Sequence, residues 1–134
     1  MKETLKSSQS LDPYLLIEPN GNLRWIYLLT GCCFCSQMYD YIGCSCVEMV
    51  RTVLPDIVIF VDESGRIKDP PQPFAPLASK LYLGSQFGDP IVGPVIVCKL
   101  EPVGPYLELD CVPLSPADLA RLSLFLGVSI PEIK

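Results

Sequence analysis

The sequence predicts an α+β fold in a single domain: a mostly antiparallel sheet with two helices packed on it, in the order β-β-α-β-β-loop-β-β-α. Three observations lead there. The chain has 134 residues, 49% of them apolar and 19% charged, enough for one hydrophobic core and too short for two ordinary domains. Most of its apolar segments are short, carry the period of a strand and are separated by Gly, Pro and Asn turns. One segment near the end carries a full set of helix start and stop signals. Strands joined by short turns pair antiparallel, and helices then cover the sheet.

Residues 1–12 hold Lys2, Glu3 and Lys6 among serines and read as a flexible tail, leaving 13–134 as the folded domain. Tyr14–Glu18 and Leu23–Leu29 flank Pro19-Asn20-Gly21-Asn22, a hairpin in which Asn-Gly supplies the positive φ of the turn. Thr30 caps a helix from Cys33 to Ile42, with Phe34, Met38 and Tyr41 on one face and Gly43 as its stop. From Cys44 to Val50 the period shortens to two, placing Cys46, Glu48 and Val50 on one side of a strand and Val47 and Met49 on the other. Ile57–Val61 is a continuous β-branched and aromatic run, the mark of a central strand buried on both faces.

Asp62-Glu63-Ser64-Gly65 is expected to turn the chain into Arg66-Ile67-Lys68 as a hairpin, with Gly65 left-handed. Asp69–Ala78 carries four prolines in ten residues, so it reads as a rigid loop anchored on the body by Phe74 and Leu77. Ile91–Leu100 is a strand in which Gly93-Pro94 marks a bulge or an edge. Tyr106–Val112 alternates Leu107, Leu109 and Cys111 against Tyr106, Glu108 and Asp110, the pattern of a half-buried strand. Ser115 as N-cap, Pro116 at the first helical position, Asp118 in the first turn, a Leu119, Leu122 and Leu126 stripe and Gly127 as stop define the second helix.

Composition excludes several function classes. There is no histidine, which removes Ser-His and Cys-His dyads and every imidazole metal site. Ten Lys+Arg against fifteen Asp+Glu leave a net charge of -5, so bulk charge does not favour nucleic acid, and with no acidic run it is too weak for DNA mimicry. No phosphate-cradling glycine pattern occurs, and no cofactor is implied. The start of the chain lacks the apolar stretch of a signal peptide, and the uncharged run from Trp25 to Tyr39 is too short to cross a membrane. The protein is therefore expected in the cytoplasm, off the membrane, with its seven cysteines as free thiols.

Four pieces of the chain occur together: Ile42-Gly43-Cys44-Ser45-Cys46-Val47-Glu48-Met49-Val50, Ile59-Phe60-Val61-Asp62-Glu63-Ser64-Gly65, Pro70-Pro71 to Leu77-Ala78-Ser79, and Asp89-Pro90-Ile91-Val92-Gly93. In order and spacing they resemble the bacterial and phage family called domain of unknown function 3846. The resemblance spans about Tyr14 to Gly127, with Leu16-Ile17-Glu18-Pro19 opening it and Leu114-Ser115 closing it. It implies a small protein carried by a phage, plasmid or other mobile element, and it brings no activity with it. One departure stands out: Ala75 occupies a position where the family pattern leads us to expect Asn.

The candidate functional surface is Glu48, which matches the family's acidic position, with Asp62 and Glu63 of the following turn and Gln72 of the proline-rich loop. A carboxylate pair drawn from Glu48, Asp62 and Glu63 would suit acid–base work or a divalent cation if the fold joined them. A second alternative is a zinc site built from Cys33, Cys35, Cys44 and Cys46, since four thiolates need no histidine. The plainer account makes these cysteines small buried hydrophobes, with Cys98 and Cys111 in the core. Trp25, Tyr27 and Tyr106 offer an aromatic patch for a protein partner. The reading that results is a non-enzymatic accessory or protein-binding factor.

Overall fold

In the computed structural model, which describes residues 11–29, 34–82, 84, 88–106 and 108–133, six strands form one sheet. They are β1 (Leu11–Ile17), β2 (Leu23–Leu29), β3 (Val47–Arg51), β4 (Ile57–Asp62), β5 (Val95–Val103) and β6 (Glu108–Val112). Helices α1 (Phe34–Ile42), α2 (Pro76–Ser79) and α3 (Pro116–Leu126) complete the described elements. The class is α+β, and every strand pairing is antiparallel. The order across the sheet is β2-β1-β5-β4-β3, with β6 also on β5. Lys99 faces Ile57 on one flank and Val112 on the other, so β6 lies on the β1 side of β5, continuing it end to end.

Alternation along the inner strands builds two cores. Leu15 and Ile17 of β1, Ile57, Ile59 and Val61 of β4, and Val95 and Val97 of β5 point to one face. There they meet Leu122 and Leu126 of α3, with Ala75, Ala78 and Leu81 from the α2 region. Tyr14, Leu16, Val58, Phe60, Ile96 and Cys98 point to the other face and meet Met38 and Ile42 of α1. Each large side chain buried here contributes roughly 1.5–3 kcal/mol. All six residues of β4 are buried, the five of its apolar run Ile57–Val61 and Asp62 after them.

Local chemistry explains the ends. Gly21, at φ 94°, closes a three-residue loop in which its N–H donates to the Glu18 carbonyl and the Glu18 N–H to that of Asn22, the turn geometry that favours glycine at its last position. Ser115 and Asp118 form a reciprocal capping box at the start of α3, and left-handed Gly127 ends it. Lys99 of β5 reaches Asp118 at 3.3 Å, and Arg121 reaches it from one turn on at 3.0 Å. Burial alone would raise the Asp118 carboxyl, but the Ser115 N–H and hydroxyl, Arg121 and Lys99 outweigh it and bring its pKa down to about 2.

Several expectations need correction. β1 begins at Leu11, inside the stretch read as tail. Thr30, expected as the cap of α1, lies outside the described residues. Gly65 does not take a left-handed φ and residues 66–68 form turns, not a strand. The proline-rich segment contains a third, one-turn helix, α2, because Pro76 sits at its first position, where a missing N–H costs nothing. Phe74 is 56% exposed; the anchors are Leu77, Ala75 and Ala78. Pro94 precedes β5, which is central rather than an edge. On β6, Leu109 is exposed and only Cys111 and Val112 are half-buried, because β6 lines β5 beyond the cover of the helices.

Candidate functional site

The four pieces that carry the resemblance converge on one side chain. Gln72 of the proline-rich loop donates its amide Nε2 to the carbonyl of Ile42 at 3.1 Å, to that of Gly43 at 3.4 Å and to Asp62 Oδ2 at 3.2 Å. Its main-chain N–H donates to the Gly65 carbonyl at 2.9 Å. A Cβ added at Gly93 would stand 3.1 Å from Gln72, and one at Gly65 would stand 3.3 Å from Gln72 and 2.9 Å from Val92. A side chain at Gly65 would therefore force Val92 to shift, and Gly93 combines a tight approach to Gln72 with a left-handed φ of 77°.

The constellation finishes helix α1. The last carbonyls of a helix lack intrahelical partners and carry its negative end. Gly43, left-handed at φ 78°, stops α1, and the Lys68 ammonium donates to the Gly43 carbonyl at 2.7 Å. Lys68 also pairs with Asp62. Asp62 Oδ1 accepts from the Ser64 N–H at 2.9 Å. Burial pushes the Asp62 carboxyl up, and Lys68, the Ser64 N–H and Gln72 together outweigh it, holding the group below the usual carboxylate range. Both oxygens of Asp62 are thus committed to partners within the chain.

The other candidates fall elsewhere. Glu48 faces Val61 across the β3–β4 pair whereas Asp62 faces Val47, so the two carboxylates lie on opposite faces of the sheet and do not form a pair. Lys68 is taken by Asp62, and Glu48 is exposed. Glu63 is exposed beside the edge and accepts a hydrogen bond from the Cys46 thiol at 2.9 Å. That bond, with a smaller contribution from desolvation, raises the Cys46 pKa. Burial does the same for Cys44.

The cysteine cluster of the sequence is divided in space, and Cys33 lies outside the described residues. Cys35 is in the first turn of α1 and Cys44 lies just beyond its end, on the order of 10 Å along the axis. A zinc ion holds its sulfurs within roughly 4 Å of one another. Among the described residues no three His, Cys, Asp or Glu side chains gather in a way that could hold a metal ion. Cys35 instead neighbours Cys98 and Cys111. Burial, then Asp110 and Cys35, raise Cys111 to about 11, and burial first, then Cys111 and Cys35, raise Cys98 well above an ordinary thiol. Trp25 and Tyr27 share β2, while Tyr106 stands 85% exposed in the β5–β6 turn.

Two contributors escaped sequence reasoning. The Ser79 hydroxyl, buried, accepts from the Ile91 N–H at 2.9 Å and donates to the Ile91 carbonyl at 3.3 Å, joining the third resemblance piece to the fourth. Asp89 pairs with Arg66 and accepts from the Tyr82 hydroxyl at 3.1 Å. Ala75 is the N-cap of α2, and no side chain caps that helix; Asn at this place would supply the missing acceptor.

The geometry defines a small α+β domain in which one polar side chain ties a helix end, a turn, a proline-rich loop and a glycine together. Residues 14–109 match the family described as Domain of unknown function (DUF3846), and the chain belongs to that family. No curated protein and no solved structure matches it. No helix among the described residues is long and apolar enough to cross a membrane.

Proposed function

We propose that the domain is a non-enzymatic accessory factor that binds a protein partner along the edge of β3. The setting we propose for it, the cytoplasm of a cell carrying a phage or other mobile element, is the one that the resemblance implies. The observation that carries the binding reading is a strand edge, that of β3, with no neighbouring strand among the described residues. The Glu63 N–H donates to the Cys46 carbonyl and the Thr52 N–H to that of Ile57. With the β3–β4 register, these bonds turn the main-chain groups of Glu48 and Val50 towards β4 and those of Val47, Met49 and Arg51 away from the sheet.

Exposed Met49 and Val53 flank this edge. A free row of N–H and C=O groups beside apolar side chains is the template for strand addition, the mode in which main-chain bonds give affinity and alternate side chains give specificity. Glu48 and the Cys46–Glu63 pair lie on or beside the same edge, which gives the candidate surface a role without chemistry.

The test uses the outward N–H of Met49. Met49→Pro removes that donor without touching the β3–β4 ladder, a position where an edge strand tolerates proline. A photo-crosslinker at Val53 should capture a partner in cells with the native chain, and Met49→Pro should abolish capture while circular dichroism stays native. A folded Met49→Pro chain that captures the same partner equally well, or turnover of a metabolite by the purified protein, would overturn the reading.

A further inference from the structure

The strand at the opposite end of the sheet, β2, is capped at one end, and one of its faces is crossed by a lightly held segment. At one end the Gln37 side-chain amide imitates a neighbouring strand, accepting from the Leu29 N–H at 2.7 Å and donating to the Leu29 carbonyl at 2.8 Å. At the other end the segment after α3 crosses Trp25, whose indole Nε1–H donates to the Pro131 carbonyl at 2.6 Å. Val128 and Ile130 rest on the first core, and the Val128 carbonyl accepts from the Ser123 hydroxyl. Ser129, Pro131, Glu132 and Ile133 are exposed.

Open grooves flank this segment on both sides. One, of about 410 Å³, is bounded by Leu23, Arg24, Trp25 and Tyr27. The other, of about 350 Å³, opens against Leu119, Ala120 and Ser123. A segment with two half-buried anchors and space on either side belongs to the low-stability end of a fold, whereas the strands it crosses are paired along their length. Gly127, left-handed at φ 71°, supplies a pivot where the segment leaves α3.

We propose that residues 128–133 are a releasable strap: it opens at Gly127 while the sheet stays folded, uncovering the indole of Trp25 and the face of β2 on which it lies.

Trp25 is the single tryptophan, so its indole N–H gives one identifiable signal in the full chain. Hydrogen exchange should show that N–H, corrected for intrinsic rate, at least about 100-fold less protected than the amides of Ile59 and Val97, as a local opening requires. Its exchange should also be insensitive to low urea. Ile130→Ser should raise Trp25 exchange and acrylamide quenching and leave the two amides unchanged. Equal protection and equal urea dependence of all three groups would overturn the proposal, because the segment would then open only with the whole domain. An Ile130→Ser chain that unfolds outright would lead to the same conclusion.

Discussion

Gln72 donates its side-chain amide to the Asp62 carboxylate across 3.2 Å, while the same nitrogen serves the Ile42 carbonyl at the end of α1. One neutral donor thus joins a buried anion to a helix terminus. Gln72→Ala should lower stability by about 2 kcal/mol in urea denaturation, since it strands polar groups and leaves a void between Gly65 and Gly93. Gln72→Glu should cost at least as much, because a second carboxylate would face Asp62 and two carbonyls. Equal stability of wild type and both variants would remove Gln72 from the architecture.

Gly65 is fixed by contact with Val92 rather than by its backbone angles. Gly65→Ala places a methyl 2.9 Å from a Val92 methyl and should destabilise by about 1–3 kcal/mol as overpacking. Val92→Ala in the same chain should recover part of that loss. A double-mutant cycle with no coupling between the two positions would contradict the contact.

Asp118 makes stability depend on acid. Its folded pKa, about 2, lies below the ordinary carboxylate value of 3.8, so its contribution is fully present above that value and is lost as pH falls through about 2. The shift corresponds to about 2 kcal/mol. Asp62, also held low, loses its contribution in the same direction. Urea midpoints measured from pH 6 down to pH 2 should fall for the native chain, and Asp118→Asn should flatten that fall and start from a lower midpoint.

The exposed Cys46 thiol donates to Glu63, so the neighbouring carboxylate opposes formation of the thiolate. Glu63→Gln should speed alkylation of Cys46 by iodoacetamide at neutral pH several-fold, with Cys98 remaining inert behind its burial. Peptide mapping by mass spectrometry reads both sites at once; an unchanged Cys46 rate would show that the bond does not govern its reactivity.

Much of this fold is legible in the residues because local chemistry and tertiary structure agree. The Asn20-Gly21 turn, the β-branched run of β4, and the Ser115 to Gly127 cap pair each form what their own sequence dictates. What escaped depends on strand order. The alternation from Tyr106 to Val112 has the period of a buried face, yet whether a face is buried depends on what covers it, and β6 runs past the helices. The candidate site shows the same division. Asp62 and Gln72 are joined only because the proline-rich loop returns against the end of α1, a contact thirty residues apart in sequence for Gln72 and Ile42. Cys35 and Cys44 look like neighbours along the chain, yet the helix read from the sequence between them already holds them apart.

The strand order also sets a timetable for synthesis. β1–β2 and β3–β4 are each complete hairpins early in the chain, but their common neighbour β5 starts only at Val95. Until β5 leaves the ribosome, neither hairpin has the strand that joins it to the other. Their apolar faces wait as two separate half-sheets, with high contact order delaying closure. The nascent domain is therefore at its most adhesive just before β5 emerges, and the arrival of that strand decides whether it folds or aggregates.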